Sequence, residues 1–168
     1  MSVDAETIAK VAIKELTHKV ARAVDRADVD LFCECFTEGG LFDAGMVSGP
    51  MPEVGRQMFE AIGDSMRRTQ HALSNHIILV DGDKAKGEAQ VIGTAFFDVE
   101  GEEMELVFGG RYLDQYEKRG DEWKVSARRI VVDYARNQKS THSEAGAYEA
   151  TNYKGTRGKD DPSYKFIF

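Results

Sequence analysis

An α+β fold is predicted for this chain: a curved, mainly antiparallel sheet closing as a cone around three N-terminal helices. Three observations carry that prediction. Apolar residues recur at helical spacing only up to about Arg68. From Thr69 the chain turns to long strand-like runs, parted by Asp81-Gly82-Asp83, Glu100-Gly101-Glu102 and Arg119-Gly120-Asp121. Each is a hairpin signal with a glycine where positive φ is needed. The last run breaks its own alternation, since Trp123, Val125 and Ala127 share one parity and Ile130, Val132 and Tyr134 the other. A bulge near Arg128-Arg129 restores register, and bulges bend a sheet. Such a cone has one open end and an apolar interior that can hold a small ligand.

Residues 4–27 read as a helix, with Asp4 as N-cap and an apolar row at Ile8, Ala12, Leu16, Val20, Ala23 and Ala27. Asp28 caps a second, short helix over 29–36 that buries Leu31, Phe32, Cys35 and Phe36 and ends at Gly39-Gly40. Residues 41–44 form a short strand and 45–52 a loop. A third helix spans about 52–68 with Val54, Met58, Ile62 and Met66 as its apolar row; Gly55 and Gly63 weaken it. The strands are expected over 70–81, 84–98, 103–118 and 122–134. After Tyr134 the periodicity stops, so residues 1–135 are expected to form the cone domain and 136–168 a polar extension. Its aromatic end, Tyr164 to Phe168, is expected to dock on the domain or on a neighbouring subunit.

Bulk properties narrow the function. A chain of 168 residues can bury a full core, and a net charge of −7 argues against nucleic acid or anionic membrane as partner. No apolar run is long enough to span a bilayer, and the first residues lack a signal-peptide pattern. Cys33 and Cys35 are too close in sequence for an ordinary structural disulfide, which suits reduced thiols in a cytoplasmic protein. No further ligands are spaced to make them a metal site.

His71, just ahead of the apolar run Ile77-Ile78-Leu79-Val80, is the first candidate proton carrier, because its unperturbed pKa lies in the physiological range. A lone histidine at a strand entry is more often a structural residue. His76, five residues on, falls on the opposite parity and is expected on the other sheet face. Asp98 and Asp133, near strand ends, are expected at the surface.

Four stretches together resemble the SnoaL-like branch of the nuclear-transport-factor-like superfamily, which has a cystatin-like cone. They are Ala23-Val24-Asp25-Arg26-Ala27-Asp28, Thr69-Gln70-His71-Ala72-Leu73-Ser74-Asn75, Val107 to Glu117, and Glu122 to Arg129, in the family's order. The branch includes hexachlorocyclohexane dehydrochlorinase and bile acid 7α-dehydratase, and the resemblance implies a cofactor-free lyase or isomerase, with no metal. The fold also hosts binding modules and oxygenase small subunits, so fold alone does not fix function. The dehydrochlorinase-like catalytic set falls on Asp25, His71 and Arg128: base-orienting carboxylate, base and anion-stabilising guanidinium. The same resemblance puts Phe42, Ile62, Met66, Phe108 and Tyr112 on pocket-lining positions; Phe96 joins them from its strand position. It implies a small hydrophobic cyclic ligand and a homo-oligomer, dimer or trimer.

Two points stay open in the residues. On a helical wheel Asp25 falls nearly opposite the Ile8-Ala12-Leu16 row. It can face the cone if that row faces the short helices, or it can be solvated at the turn. The dehydratase-type sites carry a tyrosine about one turn before the Asp, where this chain has Val20. A phenolic acid is therefore missing unless Tyr112 or Tyr116 reaches in.

Overall fold

The structure, a computed structural model, describes residues 3–167; Met1, Ser2 and Phe168, the last aromatic of the chain's end, lie outside the described residues. The order is α1 (Val3–Asp25), α2 (Val29–Glu34), β1 (Phe36–Asp43), β2 (Ser48–Pro50), α3 (Glu53–Ile62), β3 (Met66–Asp81), β4 (Lys84–Val99), β5 (Glu102–Arg119), β6 (Glu122–Lys139) and α4 (Ser163–Phe166). The sheet runs β2-β1-β6-β5-β4-β3, with β1 parallel to β6 and every other neighbouring pair antiparallel. The fold is α+β, a curved open sheet wrapped on the helices.

The buried stripe of α1 differs from the expected row. Ile8 is 69% exposed, while Ala9, Ile13, Thr17, Ala21 and Asp25 are buried in steps of four, with Leu16, Val20 and Ala23 beside them. Four-residue steps keep side chains on one helix face. Asp25 therefore continues the packed face instead of opposing it. The helix stops at Asp25, two residues early, because Ala27 adopts φ 52° and turns the chain so that Asp28 caps α2 through the Leu31 amide at 3.1 Å.

Two helix ends also move. Phe36 is already the first residue of β1, which carries Gly39 and Gly40 inside it. Gly63, at φ 49°, ends α3; a 3-10 turn over Gly63–Ser65 follows, and Met66 opens β3 instead of closing the helix. The short β2 replaces part of the expected loop, and β6 runs to Lys139, past Tyr134.

The core lies where α1, α2 and α3 meet the concave face. Phe32, buried in the same cluster as Val125, Ile78 and Tyr116, lies 5.1 Å from the Phe36 ring and 5.7 Å from that of Phe42. Offset and edge-on aromatic packing of this kind adds roughly 0.5–1.5 kcal/mol per pair beyond area burial.

Two bulges set what faces inward. The β6 bulge is at Ser126, two residues ahead of the expected site: Val125 pairs with Tyr116 and Ala127 with Gln115, leaving Ser126 between them. Arg128 consequently shares the inner face with Val125, and Arg129 points out. In β3 the extra residue is Asn75, at φ 23°, between the Ser74–Gln90 and His76–Ala89 pairs. It reverses parity, so His71, Leu73, His76 and Ile78 all face the cone.

Residues 157–164 pack on the corner between α1 and α2, while His142 packs on Phe96. The Gly158 amide donates to the Arg26 carbonyl at 2.8 Å, Arg26 meets Asp161 at 3.2 Å, and Tyr164 donates to Asp28 at 2.9 Å. Arg157 donates to the carbonyls of Met66, at 2.9 Å, and Val24.

Candidate active site

Asp25, at the last position of α1, turns both carboxylate oxygens onto β3. Oδ1 lies 2.7 Å from His71 Nδ1, and Oδ2 accepts the His71 backbone amide at 3.0 Å. A carboxylate at a helix C-terminus works against the dipole by roughly 0.3–1 kcal/mol; here the strand amide and imidazole compensate. Burial pushes the Asp25 carboxyl upward, but the hydrogen bonds and charge of His71 outweigh it and hold the group below the usual carboxylate range. Nε2 of His71 has no hydrogen-bond partner among the described residues, and the ring meets Phe108 edge-on at 6.0 Å. The pair borders a depression of about 180 Å³ lined also by His18, Ala21, Arg22, Arg26 and Leu73.

Arg128 is 3% exposed and does face the cone. Its Nε and Nη2 bond both oxygens of Asp114, at 2.8 and 2.6 Å, and its guanidinium lies 4.2 Å from the centre of the Tyr112 ring. The charge expected to be free for an anion is thus matched by a buried acid. Burial opposes the guanidinium's charge, yet the Asp114 charge more than offsets this and pushes the Arg128 pKa up. Only Nη1 makes no hydrogen bond within the described chain.

Tyr116 completes the cluster. It donates to Asp114 at 2.8 Å and lies 3.2 Å from the Thr17 hydroxyl and 3.3 Å from His76 Nε2. His76 is therefore part of the inner network, contrary to the expected outward placement, because of the Asn75 bulge. Burial is the main reason that its pKa falls.

The pocket candidates separate. Phe108 packs edge-on against His71 and Tyr112 lies against the Arg128 guanidinium, but neither lines the depression beside Asp25 and His71. Met66 and Ile62 are half-buried at the start of β3 and the end of α3, and Phe42 packs into the Phe32 core. Phe96 does not line the cone. It alternates with buried Ala95 onto the opposite face, where Arg68 lies 5.0 Å from its ring centre and His142 of the extension packs on it. Asp98 pairs with Arg67, and Asp133 pairs with Arg111, both in surface positions.

A sequence profile of the SnoaL-like domain matches residues 5–129. The chain belongs to the SnoaL-like domain family. Comparison of this SnoaL-like chain with curated proteins finds no match. Similar solved structures include hexachlorocyclohexane dehydrochlorinase LinA-type3 from Novosphingobium barchaimii LL02, with 19% identity over 86% of this chain and 100% of that one and a TM-score of 0.76. A candidate scytalone dehydratase from Novosphingobium aromaticivorans DSM 12444 has 19% identity over 84% of this chain and 95% of that one, with a TM-score of 0.74. A Nostoc punctiforme PCC 73102 protein of unknown function with a cystatin-like fold has 25% identity over 74% of this chain and 90% of that one, with a TM-score of 0.56. The first two likenesses are of fold, and it is a fold that lyases use.

Sequence reasoning about the SnoaL-like chain missed Asp114. The signal was present: Tyr112, Asp114 and Tyr116 share one parity on β5, so an inward Tyr implies an inward carboxylate that needs a partner. Among the described residues no group of three or more His, Cys, Asp or Glu is arranged to hold a metal, and no helix is long and apolar enough to cross a membrane.

Proposed function

We propose that the chain is a cofactor-independent lyase that removes a β-leaving group from a small hydrophobic cyclic substrate, with His71 as base. The observation that carries this reading is the double grip of Asp25 on His71. A carboxylate at Nδ1 favours the tautomer with the proton there, leaving a bare lone pair on Nε2. Nε2 takes a proton from carbon, and the imidazolium so formed is stabilised by the Asp25 charge at 2.7 Å. The electron pair of the broken C–H bond becomes the new double bond, and the β-group leaves. The Arg128 Nη1 is the guanidinium donor left to meet charge developing there, Nε and Nη2 being held by Asp114. Phe108 and Tyr112 supply flat apolar walls for a ring. An isomerase uses the same base and returns the proton to a different carbon.

The test is turnover on a panel of chlorinated cyclohexanes and cyclic β-hydroxy ketones, followed by alkene formation. The expected result is elimination by the wild type that falls at least a hundredfold in His71→Ala, the circular-dichroism spectrum staying native. Binding of panel members without turnover supports a non-catalytic binding module of the same fold instead.

The same reading carries a homo-oligomer, supported by exposed Ile77, Leu79 and Ile92 on the outer sheet face, and a cytoplasmic setting, supported by the free thiols of Cys33 and Cys35. The extension expected over 136–168 is read as a separate unit from residue 140 onward, since residues 136–139 belong to β6 and pair with β5. Mass measured in solution, with and without residues 163–168, tests the assembly; a monomer in both cases contradicts it.

A further inference from the structure

Arg157 lies in the C-terminal extension, beyond the residues 5–129 that match the family. Its side chain nevertheless reaches the seam on which the site is built. Nη1 donates to the Met66 carbonyl at 2.9 Å and Nη2 to the Val24 carbonyl at 3.4 Å. Met66 opens β3, the strand of His71, and Val24 precedes Asp25 at the end of α1. One guanidinium therefore ties the same two elements that the Asp25–His71 contact joins.

Neighbouring residues hold it there. The Thr156 carbonyl accepts from Arg26 at 2.7 Å, and the Gly158 amide donates to the Arg26 carbonyl at 2.8 Å. These bonds and the Arg26–Asp161 pair already dock the segment, so docking does not require a charge at Arg157. That charge is also costly. Among the described residues Arg157 makes no ion pair, and its Nε is buried without a partner. A partly buried cation without a counter-ion destabilises the fold, and a rule broken with no gain to the fold marks a functional position. Burial lowers the Arg157 pKa, the Asp25 charge opposes that fall, and Arg26 adds to it.

We propose that Arg157 is a positioning residue for the His71 base, clamping the end of α1 to the start of β3 and setting a positive charge near the Asp25 carboxylate. This deepens the reading of His71 as base and rests on it. The charge acts through Asp25. It draws on the same carboxylate that stabilises the imidazolium, so it disfavours a proton on the ring and keeps Nε2 a free base to lower pH. Other titratable groups face the pair: His18, Arg22 and Arg26 from α1 line the depression, and the Tyr112 phenol on β5 feels the Asp25 charge. Arg26 is matched by Asp161, and Arg22 lies 4.7 Å from the Tyr164 ring centre. β4 offers Gly93 and β5 the Phe108 ring, both uncharged.

The test is the pH at which the His71 ring resonances titrate, assigned by His71→Ala. Arg157→Gln removes the charge and keeps an amide donor; Arg157→Lys keeps the charge. The midpoint should rise by about half a unit or more in Arg157→Gln and stay at the wild-type value in Arg157→Lys. Arg157→Met, a second uncharged variant, should move it the same way as Arg157→Gln. A merely structural clamp predicts the opposite sign, because a loosened Asp25 contact withdraws the carboxylate from the imidazolium and lowers the midpoint. A midpoint that holds or falls in the uncharged variants, or that moves equally in Arg157→Lys, overturns the proposal. Turnover on the substrate panel reads the base separately. A wild type that turns over, with a midpoint unmoved by Arg157→Gln, sinks the proposal alone. A wild type without turnover whose midpoint rises only in the uncharged variants sinks the base reading and leaves the Arg157 charge effect standing.

Discussion

The Asp25 carboxylate holds His71 at two points, its ring through Nδ1 at 2.7 Å and its backbone amide at 3.0 Å. One contact favours the tautomer that carries its proton on Nδ1. The other ties the end of α1 to the edge strand β3. Because Asp25 titrates below its ordinary value, its contribution to stability is fully present above the unfolded carboxylate pKa, about 3.9, and is lost as pH falls through the depressed folded value. Asp25→Asn should therefore flatten the acid limb of the stability curve below about pH 4. Chemical denaturation at a series of pH values checks it; an unchanged acid limb contradicts it.

Among the described residues, Asp114 is the acid that pairs with the buried Arg128. Asp114→Leu strands a guanidinium that is 3% exposed, and breaking a buried pair by removing one partner costs about 3–5 kcal/mol. Changing both residues together, Asp114→Leu with Arg128→Met, should recover most of that loss. Urea denaturation of the two variants reads the difference. A double variant no more stable than the single one contradicts the pairing.

Asn75 supplies the extra residue that brings His76 to the inner face, at a φ of 23° that side-chain-bearing residues rarely adopt. Asn75→Gly should be neutral or slightly stabilising. Asn75→Val should lose about 1–2 kcal/mol. Equal stability of the two variants would show that the bulge does not impose this backbone.

Gly93 lies beneath Phe108: a methyl group there would come within 2.1 Å of the ring. Gly93→Ala must displace Phe108, which packs edge-on against His71. The expected result is at least a tenfold loss of turnover with the Asp25–His71 contact intact, read from kinetics beside the histidine ring resonances. Full activity would remove Phe108 from the site.

Asp161 fastens the extension. Burial works to raise its carboxyl, but hydrogen bonds from the Ser163 hydroxyl and from the Thr156 and Ser163 amides, with Arg26 nearby, hold it at about 2. A depressed acid keeps its contribution above about pH 4 and loses it towards pH 2, so the 156–164 segment should detach in that window, and in Asp161→Ala at neutral pH. Limited proteolysis at the segment reports this, and equal protection in both proteins contradicts it.

How legible was this in the sequence? The hairpins were, because Gly82, Gly101 and Gly120 all take positive φ and a turn signal acts locally. The face of α1 was less so. Ile8 invites burial but lies beyond the sheet's cover, whereas Thr17 is buried because its hydroxyl bonds the Ile13 carbonyl and faces Tyr116. Placing His76 failed for a similar reason. One residue in a left-handed turn reverses the parity of everything after it, and Asn75 carries no stronger mark than any other asparagine. Phe96, expected in the pocket from its strand position, is one residue out of phase with inward Ala95, and Asp114, a carboxylate between two tyrosines, reads as solvated until its arginine partner arrives from β6.

On the proposed mechanism Asp25 leaves the His71 Nε2 lone pair free. The most direct measurement is a long-range 15N–1H correlation spectrum of the histidine rings at neutral pH, with His71 assigned by His71→Ala. The expected result is a protonated Nδ1 with a strongly downfield proton and an unprotonated Nε2, both lost in Asp25→Asn. A proton resident on Nε2 in the wild type, or a spectrum unchanged by Asp25→Asn, would contradict it.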